Sequence, residues 1–421
     1  MANMQSVEWL DAIYGRVLLH GPVVSALKLP LVQRLRHLRL SNIDSISSPG
    51  ISGISRYEHA LGTALLASRA SVLKRLDDRD RDCFITAALL HDTALTPFGH
   101  LVEEALGYSS VHYDHERKWS LLLEDDSADL GGIDLQIYCG RESGLRKWAF
   151  ANFSSGAEEA LSLIFDTIKG RGNLGACLAA DIDLDNLDNV TRAAYHMGLK
   201  ADRQLPLRVA QAMGIDEHGV VVFTKDAIAD IKFWLEMRKE VYSQFILARE
   251  DFAGKIMLLS ATVSAVDRNL ITQGDWRMSD NQYLALLLES NDPSIEGPVS
   301  RWLLNDLWTL STLMWFDGQR PSFDRLGRFN EILSAELDRT CFCYGISDKR
   351  SRSVKILLED GSAVAIGEQP RAWVLGVASP LGRRFTKKEE GKIGELISEH
   401  FDCTPKNDPL KQQSLPLFEM Q

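Results

Sequence analysis

The chain has 421 residues, 45% of them hydrophobic and 25% charged, proportions that allow a sizeable packed core and either one large domain with a smaller one or two domains of ordinary size. Its formal net charge of -11 argues against general nucleic-acid binding, which needs clustered positive surface. It leaves room for a locally basic pocket that takes an anionic small molecule. The N-terminus "MANMQSVEWLDAIYG" lacks a basic region followed by an apolar one, and "KIMLLSATVSAV" is too short and interrupted to span a bilayer. No membrane partner is therefore expected, and the location is expected to be cytoplasmic.

Most of residues 1 to about 335 reads as helix. In "RYEHALGTALLASRASVLKRL", Leu61, Ala64, Leu65, Val72 and Leu76 recur near a 3.6-residue period. "DRDRDCFITAALLHD" opens on acids and continues as a solid apolar body, the pattern of a buried helix. "EEALSLIFDTIKG", "AIADIKFWLEMRKEVYSQFILAR" and "SRWLLNDLWTLSTLMWF" carry the same period, with loops expected at 41–55, 127–136 and 213–219. After about Arg339 the texture changes. "TCFCYGI", "RSVKILLEDGSAVAIGE" and "RAWVLGVAS" read as strands, Asp360-Gly361 as a hairpin turn, and "TKKEEGKIGELISEHF" as an amphipathic helix. The expected fold is mostly α: a helical domain over 1–335, a small α+β subdomain over 336–402, and a flexible tail over 403–421 in which "LPLFEM" is a candidate docking segment. Of the six cysteines, Cys83, Cys139, Cys177, Cys341, Cys343 and Cys403, only Cys341 and Cys343 are close. C-x-C on a strand is a poor metal signal, so reduced apolar cysteines are expected.

The stretch "HDTALTPFGH" puts His91 and Asp92 at the end of an apolar helix, where a polar terminus and a metal site are both possible readings. With His59 in "SRYEHALG" and Asp185 in "AADIDLDNLDNVTRAAYHMGL" they make a mixed nitrogen and oxygen set suited to a hard or borderline divalent ion. Such an ion lowers the pKa of bound water and polarises a phosphoryl group. Spacing does not single out Asp185, because Asp181, Asp183 and Asp188 lie beside it and equally read as a solvated helix start.

"QRLRHLRL", "PG", "RYEHALG", "HDTALTPFGH", "VHYDHERKWSLLL" and "DIDLDNLDNVTRAAYHMGL" follow one another over roughly residues 30–260. In that order they resemble the HD-domain metal-dependent phosphohydrolases, most closely the deoxynucleoside triphosphate triphosphohydrolase branch. The resemblance implies that His59, His91, Asp92 and Asp185 hold one divalent ion, with manganese, iron, magnesium, nickel and zinc all admissible. It implies that Arg56 contacts the α-phosphate and Arg238 the outer phosphates. His115, oriented by Glu103, falls where the family protonates the leaving oxygen. Tyr242 falls near the sugar, Asn189 is a further substrate-binding candidate, and a homo-oligomer is the family habit.

Departures accompany the matches. Leu95 stands where the family usually has a further histidine, "GIS" where the loop before Arg56 often has one, Asn186 and Asn189 where it has a lysine and a tyrosine, and Ile246 where a tyrosine lies against the sugar. The implied reaction is hydrolysis of a (deoxy)nucleoside triphosphate at the α-phosphate, giving nucleoside and tripolyphosphate. An HD phosphatase or phosphodiesterase on another nucleotide is the alternative within the same chemistry. A nucleotide-binding sensor or assembly module with little turnover is the alternative outside it.

Overall fold

In the computed structural model, which describes residues 6–111, 144–272, 275–350, 353–367 and 371–408, the chain opens on a β-hairpin rather than a helix. Ser6–Asp11 and Gly15–His20 pair antiparallel and close at Asp11 opposite Gly15. The turn "DAIYG" explains the difference from the helical expectation. Asp11 Oδ1 accepts from the backbone N–H groups of Ile13 (2.8 Å) and Tyr14 (3.2 Å), and Gly15 takes a φ of 72° that a side chain would disfavour.

The helices that follow begin where their caps dictate. Arg56–Arg69 starts on a capping box: the Ser55 hydroxyl accepts from the Glu58 N–H, and the Glu58 carboxylate accepts from the Ser55 N–H. Asp78–Leu90 starts on Asp77, whose carboxylate accepts from the Asp80 N–H, and its apolar body from Cys83 to Leu90 is almost wholly buried. These two helices pack against each other, and Leu184–His196 packs on the first. Ala227–Val241 packs in turn on Leu184–His196, then tightens into one π-helical turn over Tyr242–Ile246. The 19-residue helix Arg249–Asp267 is buried along most of its length, between Leu101–Tyr108, Pro293–Leu303 and the C-terminal sheet.

That sheet is antiparallel and centred on Ala372–Ser379. Phe342–Asp348 pairs on one side with Tyr344 opposite Gly376; Met314–Asp317 and Thr309–Leu310 pair on the other, and Pro405–Lys406 adds to Met314–Asp317. The segment "SRWLLNDLWTLSTLMWF" is therefore not one helix. It is helical to Leu303, reverses at Asn305 with φ 58°, and continues as two short strands, whose Thr and Trp residues suit a sheet as well as a helix stripe. Likewise 213–219 contains a strand, Met213–Ile215, paired with Val221–Phe223. The expected hairpin about Asp360-Gly361 forms, joining Val354–Leu357 to Ala363–Ile366 with Gly361 at φ 82°. Lys387–Phe401 is the expected helix, capped by Thr386 and Glu389.

One apolar core runs from Ile13 and Val17 of the hairpin through Trp234 and Phe252 to Trp373 and Phe401. At Gly376 a Cβ would lie 2.6 Å from the Phe252 ring, so the strand backbone itself packs on that ring. Cys83 and Cys177 belong to this core, and burial pushes both thiols up to about 12. No helix among the described residues is long and apolar enough to cross a membrane. The architecture is mostly α with a small C-terminal α+β layer. The 127–136 loop, Cys139 and the "LPLFEM" segment lie outside the described residues.

Candidate metal centre

Three helix ends converge on one point. His59 sits in the first turns of Arg56–Arg69, His91 caps the end of Asp78–Leu90, and Asp185 lies in the first turn of Leu184–His196. The His59 Nε2 to His91 Nε2 distance is 3.2 Å, and Asp185 Oδ1 is 2.9 Å from the first and 3.6 Å from the second. Asp92 completes the ring with Oδ1 3.6 Å from His91 Nε2 and Oδ2 3.9 Å from His59 Nε2. His59 is fully buried and His91 and Asp92 nearly so, whereas the Asp185 side chain is 31% exposed, which marks the open side of the site.

The donor set fits a divalent cation on its own chemistry. His59 Nδ1 lies 2.8 Å from Asp188 Oδ2, and His91 Nδ1 lies 2.8 Å from the Ala88 carbonyl oxygen. Those acceptors fix the N–H of each ring on Nδ1 and turn both Nε2 lone pairs inward, toward each other and toward two carboxylates. Lone pairs at that separation repel unless a positive charge lies between them. Two nitrogens bound to one ion at about 2.1 Å would themselves sit about 3 Å apart. Charge points the same way. The carboxylates of Asp11, Asp92, Asp185 and Asp188 outnumber the guanidiniums of Arg56 and Arg192, leaving two negative charges when both imidazoles are neutral. Burial by itself would depress the His59 pKa, but hydrogen bonds to Asp185 and Asp188 raise it to about 10; His91 is also raised against burial, chiefly by Asp92. Without an ion the cluster attracts protons instead.

The remaining candidates divide by position. Arg56 is buried, with Nη1 donating to Asp92 Oδ2 and Nη2 to Asn42 Oδ1, both at 2.6 Å, so it flanks the cluster. Burial would raise the Asp92 pKa, yet the Arg56 charge holds it below the ordinary carboxylate value. Gly99, at the end of "HDTALTPFGH", comes so close that a Cβ there would lie 1.8 Å from Asn42 Oδ1 and 2.8 Å from Arg56 Nη2. Asn189 lies four residues after Asp185, on the same helix face and half-buried. Arg238 is buried with its guanidinium 5.1 Å from the Trp234 ring centre, on the helix that packs against the one carrying Asp185. Tyr242 is half-buried at the start of the π-helical turn. Glu103 lies 3.0 Å from His100 Nδ1, in the first turn of Leu101–Tyr108. His115 lies outside the described residues.

Leu95 is buried, and its carbonyl accepts from Arg34 Nη2 at 3.0 Å. Arg34 also donates to the carbonyls of Arg277 (2.7 Å) and Met278 (2.8 Å), so this arginine of "QRLRHLR" braces the turn after the histidine-aspartate pair. Arg34 is buried in that role rather than solvated. Asp188 and Asp183 are likewise not a solvated helix start. Asp183 caps Leu184–His196 by accepting from the Asn186 N–H, and Asp188 backs His59. The missed signal was spacing, since Asp185, Asp188 and Arg192 fall at i, i+3 and i+7 on one helical face. Beyond Asn42 lies a cavity of about 80 Å³ lined by Phe245, Ile246, Lys255 and Tyr344, with Lys255 paired to Glu104 at 2.9 Å. A larger cavity of about 870 Å³, lined by Leu18, Arg69, Arg81 and Asp82 among others, contains none of the cluster residues.

Residues 56–130 match the family model described as HD domain. Over 371 residues the chain is 21% identical to the deoxynucleoside triphosphate triphosphohydrolase SAMHD1 of Bos taurus, covering 76% of this chain and 60% of that protein. It is 24% identical over 305 residues to the uncharacterized protein MJ1154 of Methanocaldococcus jannaschii, covering 72% and 59%. The chain thus spans about three fifths of the length of these two relatives. Among solved structures, a phosphohydrolase from Bacteroides thetaiotaomicron superposes with a TM-score of 0.62 at 16% identity, covering 90% of this chain and all of that one, and so shares the fold.

Proposed function

As an HD-domain protein related to the deoxynucleoside triphosphate triphosphohydrolases, this chain is, we propose, a metal-dependent phosphohydrolase acting on a nucleotide. The observation that carries the reading is the pair of inward-facing Nε2 atoms, 3.2 Å apart and flanked by Asp92 and Asp185. His59, His91, Asp92 and Asp185 would hold one divalent ion, which when bound supplies a water of lowered pKa and polarises a phosphoryl oxygen.

The chain's own residues supply the rest. Arg56, pinned between Asp92 and Asn42, sets a fixed positive charge at the rim, where the equatorial oxygens of a reacting phosphate gather negative charge. Arg238 serves the outer phosphates, Tyr242 the sugar side, and Asn189 is a further substrate contact. His115, with Glu103 as its orienting acid, returns a proton to the departing 5′-oxygen. The finer reading is cleavage of a (deoxy)nucleoside triphosphate at the α-phosphate, releasing nucleoside and tripolyphosphate, by a homo-oligomer.

A second reading, hydrolysis of another phosphoester, is favoured by how this chain uses the departing positions. Asn186 spends its side-chain amide on Asp183, 3.1 Å from both carboxylate oxygens, and Leu95 presents no polar side chain. Incubating the purified chain with Mn²⁺ or Mg²⁺ and separate panels of nucleoside triphosphates, monophosphates and dinucleotides, followed by ³¹P NMR of the products, decides between them. Tripolyphosphate is the expected product. Inorganic phosphate from monophosphates without tripolyphosphate from any triphosphate selects the second reading. Turnover unchanged by Asp92→Ala would sink both.

A further inference from the structure

The hairpin that opens the chain reaches the metal cluster through an unbroken path of buried hydrogen bonds. Asp188, directly behind His59, accepts twice on each oxygen. Oδ2 takes His59 Nδ1 (2.8 Å) and Arg192 Nε (3.0 Å); Oδ1 takes the Tyr14 hydroxyl (2.8 Å) and Arg192 Nη2 (2.9 Å). Arg192 Nη2 continues to Asp11 Oδ2 at 3.2 Å, and Asp11 Oδ1 organises the turn from which Tyr14 projects. The side chains of Arg192 and Asp188 are 0% exposed and that of Asp11 only 3%.

A carboxylate with all four acceptor positions filled cannot rotate without breaking a bond to a charged or buried donor. Nor can it slide, because at Gly62 of the His59 helix a Cβ would lie 2.0 Å from Asp188 Oδ1, so backbone closes that side. His59 is thus oriented by a carboxylate whose own orientation depends on two residues more than 170 positions away in the chain. The hairpin is attached mainly by its inner face, with Tyr14, Val17 and Leu19 buried, while Leu10 on the outer face is 80% exposed.

We propose that the N-terminal hairpin is a brace for the metal site. Asp11 and Tyr14 are positioning residues that act through Arg192 and Asp188 to hold His59 Nε2 on the ion. Hairpin docking and divalent-cation affinity are consequently linked, and the linkage is reciprocal: docking tightens the ion, and the ion tightens docking. The inference rests on the metal reading above. A merely structural network would anchor the hairpin and leave the ion indifferent to it.

The test is Mn²⁺ binding by the full chain, followed by the EPR signal of free Mn²⁺, for wild type, Tyr14→Phe and Asp11→Asn. Arg16→Ala, which breaks only the exposed Arg16–Glu8 pair on the same hairpin, is the control. Loss of partners behind a metal-binding histidine costs about 10–100-fold in affinity. About tenfold weaker Mn²⁺ is expected for each relay variant, within twofold of wild type for the control. The visible spectrum of the Co²⁺-loaded protein should shift in Tyr14→Phe and Asp11→Asn, and hydrogen exchange over residues 6–20 of the wild type should slow when Mn²⁺ is added. Tyr14→Phe removes a single oxygen and decides the matter if Asp11→Asn does not fold. Wild-type affinity and an unchanged Co²⁺ spectrum in folded Tyr14→Phe overturn the brace alone. A wild type that binds neither Mn²⁺ nor Co²⁺ overturns the metal reading and the brace with it.

Discussion

The two walls of the cluster are built on opposite plans. On the His59 side, orientation comes from side chains: Asp188, Arg192, Tyr14 and Asp11, drawn from a hairpin and a helix far apart in sequence. On the His91 side it comes from backbone. The ring bonds the carbonyl three residues earlier, and the turn that follows is held by Arg34 on the Leu95 carbonyl and by Asp280 Oδ1, which accepts from the Phe98 N–H at 2.7 Å. A wall made of local backbone geometry survives most side-chain changes. A wall made of distant buried charges gives way at single atoms, because each removed partner strands another buried charge.

Asp188→Ala should therefore be the most damaging change. It leaves Arg192 and His59 Nδ1 buried without their main acceptor, and breaking such a buried pair costs about 3–5 kcal/mol. Urea unfolding of the metal-free chain checks it; a loss below about 1 kcal/mol would mean that the His59 wall is no more dependent on charge than the other. Gly99→Ala attacks the His91 side, where φ is 64° and a Cβ would overlap Asn42 Oδ1. Strain and overpacking of this kind cost about 1–3 kcal/mol, and Arg56 should be displaced with Asn42, so turnover should fall along with Tm.

The pH dependence follows from the same asymmetry. In the metal-free chain burial lowers the His59 pKa, but bonds to Asp185 and Asp188 win and raise it to about 10. Protonated His59 then contributes stability that is complete below the unfolded value near 6.5 and lost as pH rises through about 10. An ion must displace that proton, so Mn²⁺ affinity should climb by up to roughly tenfold per pH unit between about 7 and 10. Calorimetric titration at three pH values measures it, and a flat profile would show that the proton is not there. The smallest effect on stability is expected from Glu103→Gln. Its bond to the half-exposed His100 is worth within about 0.5 kcal/mol, while a role in orienting His115 would cost turnover about 10²-fold or more. Unchanged turnover would reduce Glu103 to a surface charge.

The helical body and the late hairpin about Asp360-Gly361 were legible from the residues, whereas the four residues proposed to hold the ion were picked out by resemblance. Periodicity and caps act over one or two turns, so Arg56–Arg69, Asp78–Leu90 and Lys387–Phe401 follow from local chemistry. His59 and Asp185 were legible through the order of motifs, since nothing local joins positions 126 residues apart in sequence. The opening hairpin and the strands after Leu303 were not legible as such. Six-residue and shorter apolar segments satisfy helix and strand patterns equally, and only pairing partners decide between them.

By itself, then, the sequence determined which groups are available: two imidazoles, a surplus of carboxylates, and arginines within a helical scaffold. Tertiary structure decided which of the four neighbouring aspartates faces the site, which supports it and which caps a helix. It did so because burial leaves a charge viable only where its partners converge, and convergence is a property of packing rather than of spacing.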